Sequence, residues 1–76
     1  LELAVQDEVQ YEFQSDQPVE FDIHYHDGLA IRFPVKLTDI TVHVARFVAE
    51  KDQSYCLMWF NQSLTRTSLM YRVIGP

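Results

Sequence analysis

Two histidines, His24 and His26, flank Tyr25 and are the residues whose types and spacing can do chemistry. On a β-strand, side chains two apart leave the same face, roughly 6–7 Å from one another. An H-x-H pair so placed offers two imidazoles to one ion, and imidazole is a ligand for Zn²⁺ and Cu²⁺. Asp22 and Asp27 stand to either side. Cys56 and Met58 share one parity of a later apolar run, and thiolate with thioether favours Cu(I). One reading therefore takes His24, His26, Cys56 and Met58 as metal ligands, with copper or zinc as the ion. The plainer reading makes the histidines exposed strand residues beside acids, Cys56 a small buried hydrophobe and Met58 a gap filler.

Enzymatic chemistry finds less support. A Cys–His hydrolase needs a thiolate-favouring setting, a base in reach and an oxyanion hole. Cys56 lies in the apolar run Tyr55–Phe60, which is not the electropositive setting a reactive thiolate needs. No Gly-rich phosphate loop, nucleophile elbow or paired-carboxylate signature is present. The expectation is a protein that is not an enzyme and carries no cofactor. One cysteine excludes an intrachain disulfide framework and the cysteine-based zinc modules. Asn61-Gln62-Ser63 is a formal glycosylation sequon, read here as an Asn side chain capping a turn.

Charge is distributed unevenly. Six Lys+Arg against eleven Asp+Glu give a net charge of −5. That excludes a general nucleic-acid binder, whose affinity rests on basic side chains neutralising phosphates. Residues 1–27 carry eight acids and no Lys or Arg; the remainder carries three acids and all six bases. An acidic strand pairing with basic ones across a sheet explains this at modest energy per pair. The sharper reading is an acidic surface for a partner, with Glu20, Asp22 and Asp27 as its residues.

The hydropathy pattern supplies the elements that position these groups. Val9, Tyr11 and Phe13 alternate with polar residues, as do Val19, Phe21, Ile23 and Tyr25, and then Ile31, Phe33, Val35 and Leu37. Period two with β-branched and aromatic residues predicts strands with one face in a core. That parity puts His24 and His26 outside. Residues 40–48 begin in phase and lose it near Ala45–Arg46, where a bulge is expected. Residues 55–60 are apolar on both parities and read as a central strand, with Trp59, Phe60 and Tyr71 in the core. Leu69, Tyr71 and Val73 form a last strand; Leu1, Leu3 and Val5 form a first. Ser15–Pro18, Asp27-Gly28, Thr38-Asp39, 50–54 and 61–63 read as breakers. Face parity prefers a three-residue loop at 27–29, pairing Tyr25 with Ile31 and Ile23 with Phe33. Pro34 cannot donate to a ladder, so its strand is an edge or bulged.

The 76 residues thus predict one domain, 1–76, folded as an all-β antiparallel sandwich of about seven short strands, GOLD/jelly-roll-like in type. No apolar run approaches the roughly 20 residues of a membrane-spanning helix. From Leu1 onward no charged segment followed by an apolar one has the pattern of a secretory signal.

The stretch from Tyr55 through Trp59, Asn61 and Ser63, followed by Ser68-Leu69-Met70-Tyr71-Arg72-Val73, resembles the C-terminal hairpin of GOLD (Golgi dynamics) domains. Pro18–Ile23 is similar to the strand in which those domains alternate Val with acids. The resemblance covers residues 9–73. It implies a β-sandwich that makes protein–protein contacts. Ser54 stands where that pattern often has Gly, and a single Cys56 replaces the cysteine pair of the cargo receptors. The resulting expectation is an interaction module that meets a protein partner through its acidic outer face or an edge strand. The alternative is the copper or zinc binder, with a periplasmic or secretory-lumenal compartment.

Overall fold

The computed structural model describes residues 1–75. Six strands succeed one another: β1 (Glu2–Leu3), β2 (Glu8–Asp27), β3 (Ala30–Val48), β4 (Gln53–Ser54), β5 (Cys56–Asn61) and β6 (Leu69–Ile74), with no helix among the described residues. All pairings are antiparallel. Among the described residues, no helix is long and apolar enough to cross a membrane.

The all-β, antiparallel expectation holds, while the division into strands differs. The expected strands 9–14 and 19–25 are one 20-residue strand, and 31–37 and 40–48 are one 19-residue strand. The turn chemistry at Ser15–Pro18 produces a bend in β2. Gln14 pairs with Val42 and Val19 with Ile40, so β2 carries three extra residues across that step. Ser15 closes the bend by donating its hydroxyl to the Gln17 carbonyl at 2.6 Å. Across the gap, Ser68 N–H donates to Asp16 Oδ1 at 2.9 Å. Thr38-Asp39 is likewise a bulge inside β3, with Asp39 in the left-handed region at φ 58°.

Past the bend, β2 changes partners. Residues 10–15 pair with β6, and residues 19–24 pair with β5, while β3 follows β2 along the other side. Two three-stranded halves result, joined through β2 and β3. Odd residues of both halves face each other and make the core: Val9, Tyr11 and Phe13 from one, Val19, Phe21, Ile23 and Tyr25 from the other. Tyr11 stacks on Phe21 with centroids 5.4 Å apart, and Phe13 lies 4.8 Å from Phe21. The shortest extent of the chain is 14 Å.

A short ladder closes one end of this core. Glu2 pairs with Ser54 and Leu3 with Gln53. Leu3 and Ala49 are buried there beside Phe47 and Tyr55.

Tyr11 is buried, and its hydroxyl lies 3.2 Å from His43 Nε2. Burial holds this phenol above its ordinary 10.0. The folded chain therefore keeps that proton to higher pH than the unfolded chain. Its contribution is complete below the unfolded value and disappears as pH rises through the raised folded one. Tyr11→Phe is expected to flatten the alkaline loss of stability, read by urea unfolding between about pH 8 and 11. Equal alkaline slopes in both proteins would refute this origin.

Candidate functional site

The site begins at the β2–β3 turn. Asp27 pairs with Ala30, leaving a two-residue loop of Gly28 and Leu29, with Gly28 at φ 63°. The expected three-residue loop is thus incorrect. The register begins as His26 opposite Ile31 and Tyr25 opposite Arg32, then shifts so that Ile23 meets Val35 and Phe21 meets Leu37. One extra β3 residue accommodates the shift, and Phe33 and Pro34 together oppose His24. Pro34 therefore occupies a bulge on an edge strand, where its missing N–H costs no ladder bond. The same bulge leaves Ile31 and Phe33 exposed instead of in the core.

On the far side of β2 the register is regular. His24 opposes Cys56, Asp22 opposes Met58 and Glu20 opposes Phe60. The outer face of this half accordingly gathers the chemistry-bearing residues of two strands. β5 is an edge strand and not the central one expected, because among the described residues it pairs with β2 alone. Cys56, Met58 and Phe60 point out and are exposed. Leu57 and Trp59 pack against the core. Tyr71 is also exposed, so of the three aromatics expected inside only Trp59 packs there.

His24 is half-buried. Its Nδ1 lies 2.6 Å from Asp22 Oδ1. An ionised carboxylate only accepts, so Nδ1–H donates and Nε2 is the nitrogen left for a ligand. The ring lies 5.7 Å from Phe33 and edge-on to His26 at 5.8 Å. His26 is exposed. The expected outward parity of both imidazoles holds. Among the described residues, no three His, Cys, Asp or Glu side chains converge closely enough to hold a metal ion.

The acids proposed as a partner surface are engaged within the chain. Asp22 is buried against His24. Glu20 accepts from Gln62 Nε2 at 3.0 Å. Asp27 lies 3.8 Å from Arg32 and 3.7 Å from Lys51. Elsewhere Glu8 meets Arg46 and Glu12 meets Arg72, pairing the acidic strand with its basic neighbours. Exposed pairs of this kind contribute about 0–1 kcal/mol each.

A second feature lies where β5 and β6 end the two halves. Cys56, Leu57, Trp59, Tyr71 and Val73, with Leu1 and Tyr55 at one end, line a cleft of about 350 Å³. The Trp59 and Tyr71 rings lie 5.0 Å apart across it. Trp59 Nε1 is buried without a hydrogen-bond partner among the described residues. The sequence signal for this cleft is the apolar run 55–60 together with the alternation in 69–73. It could not show that the two runs end different halves of the same fold. Asn61 accepts from Ser63 N–H at 2.9 Å, the turn-capping role expected of it.

No family model, curated protein or solved structure matches this chain. The likeness to GOLD domains thus rests on its residues alone.

Proposed function

We propose that this chain is a non-enzymatic interaction module that receives an extended protein segment along a free strand edge. A GOLD-like sandwich is the finer fold reading, with the two facing halves as its layers. One observation carries the functional reading. β5 and β6 each pair only with β2, and their free sides border the apolar cleft of Leu57, Trp59, Tyr71 and Val73. A strand added to such an edge gains main-chain hydrogen bonds, while a flanking cleft selects alternate side chains. The unpartnered indole N–H is buried, so an incoming carbonyl would satisfy it only by turning the Trp59 ring outward. The acidic face supports recognition less well, because Glu20, Asp22 and Asp27 already have partners within the chain.

Selection from a library of extended peptides tests the reading. Enriched sequences are expected to alternate apolar and polar residues and to protect β5 or β6 amides from hydrogen exchange. Trp59→Phe, which removes only the donor and a little area, is expected to weaken them. Ligands that leave both edges unprotected and are lost on Glu20→Gln would move the contact to the acidic face.

A further inference from the structure

The geometry points to a Cu(I) site between His24 and Cys56, with the Met58 thioether beside it. This site shares Cys56 with the cleft of the strand-edge reading but does not need that reading, because copper binding and peptide binding are read separately. It begins from register: His24 and Cys56 are direct partners across β2 and β5. Directly opposed residues on an antiparallel pair project from one face, with Cβ atoms about 4.5–5.5 Å apart. Met58 follows two residues after Cys56 on that face, opposite Asp22. Both sulfur side chains are exposed, so neither is committed to packing.

The imidazole is already oriented. Asp22 accepts the Nδ1 proton at 2.6 Å and holds the ring as the tautomer whose Nε2 carries a lone pair. A carboxylate behind a histidine in this way fixes ring orientation and raises ligand basicity at metal sites. Phe33 and His26 flank the ring.

The donor set selects the ion. Thiolate and thioether are soft, and imidazole suits copper. Zn²⁺ takes four ligands in a tetrahedron. The absence of any three converging His, Cys, Asp or Glu side chains among the described residues leaves Zn²⁺ short of ligands. Cu(I), a closed-shell ion, is satisfied by two or three soft donors. Binding replaces the Cys56 S–H bond by S–Cu and releases one proton to solvent; copper stays Cu(I) throughout. The four-ligand set with His26 is not required.

The test is anaerobic titration of the chain with Cu(I) held by a chromogenic chelator, with Zn²⁺ in a parallel arm. One Cu(I) per chain is expected, on a chain that stays monomeric. Cys56→Ser abolishes binding. His24→Ala weakens it at least as much as Asp22→Asn, which loses the carboxylate that orients the ring and about 10–100-fold in affinity. Met58→Leu weakens it severalfold. Because Cys56 and Met58 are exposed, their variants keep the core, and unfolding midpoints verify this. Three results would overturn the site: binding no stronger than that of Cys56→Ser, affinity unchanged by His24→Ala, or Zn²⁺ bound as tightly as Cu(I). One copper shared by two chains through their Cys56 thiols, insensitive to His24→Ala, would also overturn it.

Discussion

Phe21→Ala is expected to destabilise the domain by about 3–5 kcal/mol, the usual cost of removing a fully buried phenylalanine. Phe21 is 1% exposed and its ring meets partners from both halves of the fold. Tyr11 lies 5.4 Å away and Phe13 4.8 Å away in one half. His43 adds a contact at 6.3 Å from β3, and Trp59 one at 5.2 Å from β5. The alanine variant thus opens a cavity in the core cluster, where collapse would need residues of both halves to move. Small domains have only about 5–15 kcal/mol in total, and a 76-residue chain sits low in that range. Most of the stability is expected to go. Urea unfolding gives the change, and near-ultraviolet circular dichroism reports whether the remaining aromatic cluster still packs. A loss under about 1 kcal/mol would mean that the halves do not pack on one another through this ring.

The core of this fold was legible in period two. Val9, Tyr11, Phe13, Val19, Phe21, Ile23 and Tyr25 are all buried, as their parity implies. Their continuity was not legible. Ser15–Pro18 has the composition of a loop, and a local reading cannot separate a chain reversal from a bend inside a strand. The deciding term is long-range, since β3 and β6 pair on either side up to the bend. Bulges were harder still. The single-residue insertions at Phe33-Pro34 and Thr38-Asp39 reset face parity, so a register carried across them by parity alone goes wrong. Phe33 was therefore expected inside and is found outside.

The site was legible in a different degree. That His24 and His26 share the outer face follows from alternation alone. That Cys56 faces His24 depends on which strand β5 joins and in what register, and no spacing in the sequence encodes either. The apolar residues of 55–60 on both parities predict a central strand. In the structure the second apolar parity, Cys56, Met58 and Phe60, faces out beside β2. An apolar edge strand of this kind invites a partner, as the proposed strand addition requires.

Tyr55→Ala is the other substitution expected to cost about 3–5 kcal/mol, and its cause is separable by a second variant. Tyr55 lies between β4 and β5, is 1% exposed, and is the largest of the fully buried side chains. Its ring stands edge-on to Tyr25 at 5.3 Å and to Phe47 at 5.1 Å. Its hydroxyl donates to the Lys51 carbonyl at 2.9 Å and accepts from Lys51 N–H at 3.2 Å. Its own N–H donates to the Leu1 carbonyl at 2.7 Å, and the Leu1 amino group returns a bond of equal length to the Tyr55 carbonyl. One residue thus joins the core, the 50–52 bend through Lys51 and the first residues of the chain. Tyr55→Phe keeps the ring and removes the hydroxyl, at an expected cost of about 1–2 kcal/mol. Tyr55→Ala removes both and should also speed exchange of the amides in the Glu2–Leu3 ladder. If the two variants lose equal stability, the hydroxyl bonds to Lys51 hold this end of the fold and the ring packing does not.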